Sequence, residues 1–212
     1  MGHSDATGDV RRLERDLRAI FGARLQSLVT YGGGAHTLAI VDTLTTLDLR
    51  ACAERAASWH GAHLATPLLL AAHEFESSLD AFPLEFGAIL ASHTVVAGKT
   101  PFDGLSVDRA DLRRAIEVQA RSQLIHLRES YIETRGGANA LSLLIVDTAP
   151  AFKALVESVR RFDPSFEPAA GARSVVALAG AHDLASADAE QLFPGYVEAL
   201  ERLVKHVDTW TA

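Results

Sequence analysis

A chain of 212 residues, 48% of them hydrophobic, is long enough to bury a proper core, as one large domain or two small ones. Its formal charge of −7 removes the electrostatic footprint of a general DNA binder, and its one cysteine, Cys52, excludes an internal disulfide. No apolar run approaches the ~20 residues that span a bilayer. The opening MGHSDATGDVRR lacks the apolar core of a signal peptide, and Ala6 interrupts the myristoylation pattern that Gly2 begins. The expectation is a soluble cytoplasmic protein with no membrane partner.

The elements follow in order. Val10, Leu13, Leu17, Ile20 and Phe21 recur at helical spacing, which predicts a helix over Asp9 to Phe21 with Gly22 ending it. LQSLVTY at Leu25 to Tyr31 and HTLAIV at His36 to Val41 predict two short buried strands. Between them lie Gly32, Gly33 and Gly34, which tolerate φ > 0 and let another group come close to the backbone. Such a turn either reverses the chain or cradles a phosphate, and the spacing favours the plain hairpin. A helix is expected from Thr46 to about His60, packing Leu49, Cys52, Ala53, Ala56 and Trp59 on a sheet. Pro67 to Leu70 predicts a third strand. Short helices follow at His73 to Ser78 and from Phe82-Pro83, and Thr94 to Ala97 makes a fourth strand ending at Gly98.

From Val107 on, the pattern is helical only. Asp108 is a good N-cap for a long helix whose row Leu112, Ile116, Ala120, Leu124, Leu127 and Tyr131 faces a core, with Val118, Ile125 and Ile132 expected to widen that face. Leu141 to Phe162 predicts a helix kinked at Pro150, followed by a loop over Pro164 to Gly171 and helices at Ser174 to Ala181 and Pro194 to Trp210. The fold class is therefore α+β: a small mixed sheet of about four strands with flanking helices over residues 1–104, then an all-α bundle of about four helices over 105–212.

Several strings in this order resemble bacterial members of the polymerase-β-like nucleotidyltransferase superfamily that join a minimal catalytic domain to a helical bundle. They are LQSLVTYG, PLLLAAHEFESSLDAFPLEF, HTVVAG before Pro101-Phe102, and Glu117, Arg121, Leu124, Leu127, Arg128 and Tyr131 on the long helix. That family holds a triphosphate on a glycine-serine turn and Mg²⁺ on two aspartates two apart on the next strand. Here the serine position is Gly33, and the two aspartate positions fall on Gly34 and His36. Asp42 and Asp48 are six apart and cannot project together from one strand.

The resemblance thus implies a nucleotidyltransferase-like protein with a degenerate site, no catalytic residues and no metal. Its alternative is an enzyme with acids relocated among Asp42, Asp48, Glu74, Glu76 and Glu85. A third reading is a homo-oligomer without a small-molecule ligand. If a nucleotide or another anion binds, the candidates are Gly32, Gly33, Gly34, His36, Arg121 and Arg128, because backbone donors and guanidinium groups hold anions without metal. No cofactor is read from the sequence.

Three other patterns stand in the sequence. His60, His63, His73 and His93 lack the fixed spacing of a zinc site. Arg114, Arg121, Arg128 and Arg135 form a seven-residue stripe that suits a phosphate, although Glu117 sits four residues before Arg121 and suits an ordinary ion pair. Arg121 with His126 matches a spacing of helical-bundle ribonucleases, a pattern short enough to arise by chance in any long helix.

Overall fold

The structure is a computed structural model and describes residues 3–210. The chain forms two compact units, residues 1–108 and 109–212. The division falls four residues after the expected one, because Leu105 and Val107 pack against the apolar cluster around Phe75, Phe86 and Phe102 and so belong to the first unit. Gly2, which opened the myristoylation pattern, lies outside the described residues.

The first unit opens with helix α1, His3–Phe21. It starts six residues before Asp9, running through Gly8, whose poor helix propensity made the sequence pattern stop there. Strands β1 (Leu25–Tyr31), β2 (His36–Val41), β3 (Leu68–Ala71) and β4 (His93–Gly98) form one mixed sheet in the order β3-β2-β1-β4. β1 pairs antiparallel with β2 and β4, while β3 runs parallel to β2 after the crossover through α2, Thr46–Gly61. Helices α3 (Ala72–Ala81) and α4 (Pro83–Ala91) connect β3 to β4, with Pro83 in the first turn of α4.

Both faces of the sheet are covered, which explains why β1 and β2 read as continuous apolar runs rather than alternating ones. Leu28, Ala39 and Val41 pack with Leu13, Leu17, Phe21, Cys52 and Trp59 on one side. Val29, Leu38 and Ile40 pack with Phe75, Phe86, Ile89 and Phe102 on the other. The Trp59 indole N–H donates to Asp16 Oδ2 at 2.9 Å, which fixes α2 to α1 and satisfies a donor that burial would otherwise strand. Leu49 and Ala53 do not face the sheet as expected. They are exposed, and the buried row of α2 is Asp48, Cys52 and Trp59 with Ala56 half-buried, because the capping interaction of Asp48 rotates that stripe inward.

Among the described residues the second unit contains four helices, α5 (Arg109–Glu133), α6 (Ala138–Phe162), α7 (Ala170–Ala177) and α8 (Ser186–Asp208). Both later helices start earlier than expected. α8 takes Pro194 into its interior instead of beginning there, and α6 is one helix across Pro150. By composition α6 is the one helix among the described residues long and apolar enough to cross a bilayer. The sequence reading missed this because Asp147 and Lys153 break its apolar run. In the bundle it is a core helix, with Ile145, Ala149, Phe152 and Val159 fully buried.

The expected wider face of α5 is not there. Ile116, Ala120, Leu124 and Leu127 are buried, but Val118, Ile125 and Ile132 are 63%, 60% and 73% exposed. At 100° per residue the two rows lie roughly 140° apart, too far to share one neighbour.

Candidate functional site

The glycine turn closes a hairpin in which Tyr31 and His36 form the last rung. Gly32, Gly33 and Gly34 have φ of 60°, 70° and 92°, the left-handed region open to glycine, and the Ala35 N–H donates to the Gly32 carbonyl at 3.4 Å. The His36 ring folds back over the turn. A Cβ on Gly32 would meet His36 Cδ2 at 3.0 Å, and the Tyr31 and His36 ring centroids are 5.4 Å apart.

His93 of β4 lies on the other side of Tyr31 in the same rung. Its Nδ1 donates to the Ile89 carbonyl at 2.9 Å, and its ring meets Phe102 edge-on at 4.5 Å. His36, Tyr31 and His93 thus form a row across the hairpin end of the sheet. Burial, then the negative charge of Glu85, raises the Tyr31 hydroxyl pKa, so this phenol stays protonated.

Three of the acids near the sheet, Asp48, Asp42 and Glu74, accept hydrogen bonds from neighbouring groups. Asp48 takes a bidentate pair of hydrogen bonds from Arg24, Nη1 at 2.9 Å and Nη2 at 2.7 Å, and accepts from the Thr45 N–H and hydroxyl at 2.9 and 2.8 Å. The Asp48 N–H returns a bond to Thr45 Oγ1 at 3.3 Å, completing a capping box at the start of α2. The Arg24 guanidinium holds the Asp48 carboxyl well below the usual carboxylate range, and the same contact raises Arg24. Asp42 accepts from Gln26 Nε2 at 3.4 Å, and Glu74 accepts from the Ala71 N–H at 3.0 Å at the head of α3. The side chain of Glu76 lies outside the described residues.

Among the described residues no three His, Cys, Asp or Glu side chains converge to hold a metal. Of the histidines considered for zinc, His60 meets the Thr66 hydroxyl at 3.0 Å, His63 turns the chain after α2 with φ 56°, and His93 is held by Ile89.

In the second unit, Arg121 Nε lies 3.3 Å from Glu117 Oε1 and its Nη2 2.6 Å from Asp208 Oδ1, while Arg128 Nη2 lies 2.6 Å from Glu201 Oε1. The pairs with Asp208 and Glu201 join α5 to α8, so both guanidinium groups already have carboxylates. Arg135 falls beyond the end of α5 with φ 52°, which shortens the stripe to three residues. His126 pairs with Glu129, and five residues on a helix put it about 140° from Arg121, so that couple shares no face.

Sequence reasoning missed Arg24, whose partner is 24 residues away, and the rung that joins His93 to Tyr31. The capping box did leave a signal in the Thr45-x-x-Asp48 spacing. No family model and no curated protein matches the chain.

Proposed function

We propose that this protein is a nucleotidyltransferase-like protein without nucleotidyl transfer activity, whose first unit serves binding or structure. One observation carries the reading: two of the five acids that were candidate metal ligands, Asp48 and Glu74, are spent on capping helices. Asp48 is neutralised by Arg24 and caps α2, Glu74 caps α3, and the glycine turn is flanked by Tyr31 and His36. A turn with aromatic and imidazole neighbours offers an anion no divalent cation to share.

Thermal shift with ATP and Mg²⁺, repeated with ATP and EDTA, tests it, since a ligand selective for the native state raises Tm. The expected result is the same shift in both conditions and no transfer of labelled nucleotide. A shift that needs Mg²⁺ and is accompanied by label transfer establishes the enzyme with relocated acids instead.

A second reading, self-association, is favoured by the bare row Val118, Ile125 and Ile132, whose seven-residue spacing is that of a helix seam. Light scattering on the eluting protein checks it. A monomer at high micromolar concentration removes it.

A further inference from the structure

α5 packs on α6 and α8 and buries Ile116, Ala120, Leu124 and Leu127, while Val118, Ile125 and Ile132 stand on another face, each more than half exposed. Three β-branched side chains in line on the solvent face of a helix contribute nothing to the core of their own unit, and a contiguous apolar row in water marks a contact surface. β-branched residues recurring every seven positions are what a two-stranded coiled coil places in its seam. The row drifts by ~20° per heptad, which a left-handed crossing of the second helix absorbs.

The residues beside the row bear on what covers it. At about 100° per residue, Arg121 and Arg128 stand roughly 40° and 60° to one side of Ile125, and Glu129 and Glu133 roughly 40° and 80° to the other. One flank is therefore cationic and the other anionic. Both arginines remain about half exposed although each meets a carboxylate of α8, and Glu129 is exposed beside His126. A helix with flanks of a single sign would be repelled along one side of this row. A second α5 carries both signs.

We propose that Val118, Ile125 and Ile132 pack against the same residues of a second copy of this chain, with the two α5 helices parallel about a two-fold axis. The proposal rests on the self-association reading and adds the element and the orientation. In a parallel pair each flank faces the opposite flank of the other helix at the same height, so Arg128 of one copy adjoins Glu129 and Glu133 of the other. In an antiparallel pair centred on Ile125 like flanks meet, and Arg121 of one copy adjoins Arg128 of the other. Charge therefore selects the parallel arrangement. The seam from Val118 to Ile132 is only about 21 Å long, so the dimer is weak, with a Kd of roughly 10 to 100 µM.

Sedimentation velocity of the full chain from about 5 to 500 µM tests this, and wild type should pass from monomer to dimer across that range. Ile125→Glu changes an exposed position, so it should keep its circular dichroism and dimerise at least about tenfold more weakly. Glu129→Lys should weaken the dimer several-fold, and Leu49→Glu, an exposed apolar position in the first unit, should leave it unchanged. Orientation is read by oxidised glutathione on single substitutions, with wild type, whose Cys52 is buried, as the blank. Val118→Cys and Ile132→Cys should each cross-link to its own counterpart, since parallel helices bring identical positions together. Cross-linking only in a mixture of these two variants shows antiparallel helices and overturns the proposal while self-association stands. A dimer that Ile125→Glu does not weaken does the same. A monomer at about 500 µM overturns both the proposal and the self-association reading.

Discussion

Asp48 accepts hydrogen bonds from Arg24 and Thr45 while sitting buried at the head of α2, and its ionised form is the one these donors favour. Because its folded pKa is held below the unfolded value of about 4, the stabilisation is complete above that pH. It fades as pH falls below it and is lost as pH drops through the folded value. Urea unfolding of wild type and Asp48→Asn should therefore differ most near neutrality and converge toward pH 2. A constant difference across that range would contradict the assignment. Thr45→Ala removes the cap and should cost about 1 kcal/mol in the same assay. The cap left a local signal, a Thr-x-x-Asp pattern four residues long, although from the sequence Asp48 was taken only as a candidate relocated acid. The arginine left none, since a partner 24 residues distant becomes a neighbour only when β1 and β2 pair.

Elements differ in how much of them a linear pattern contains. Both glycines that bound β1 in space, Gly33 and Gly98, have positive φ, yet their surroundings differ. A Cβ on Gly33 meets open space, so Gly33→Ala should cost only the left-handed backbone penalty of about 1 kcal/mol. A Cβ on Gly98 would sit 1.9 Å from the Gln26 carbonyl oxygen, beside the register shift between β1 and β4. Gly98→Ala must therefore displace backbone and should cost about 3 kcal/mol by denaturant titration. Equal losses at the two positions would refute this contrast. The strands themselves were legible from short apolar runs bounded by glycine or, before β3, by Pro67. The orientation of α5 was not, because its sequence offers two apolar rows and only the positions of α6 and α8 decide which is covered. Ile116→Ala should cost about 3 kcal/mol and Ile125→Ala less than about 0.5 kcal/mol.

At the scale of the molecule, each unit carries its own core, and this has a testable consequence for the bundle. Ile116, Ala120, Ile145, Ala149, Phe152 and Leu200 are fully buried within residues 109–212, and Phe152 meets Tyr196 edge-to-face at 5.0 Å. α7 and α8 come into close backbone contact at Gly171 and Gly195, where a Cβ on Gly171 would lie 2.5 Å from the Gly195 carbonyl oxygen. The sequence did not show this contact: Gly171 was expected in the loop ending there, whereas α7 begins at Ala170, and use of a glycine as a crossing point depends on the other helix. A chain of residues 109–212 should therefore retain its helical circular dichroism and unfold in a single cooperative urea transition. Gly171→Ala should shift that transition to lower urea by pushing α7 off α8, while Gly98→Ala, which lies in the other unit, should lower the stability of the full chain through residues 1–108. If the isolated bundle melts without cooperativity, its core is not self-sufficient.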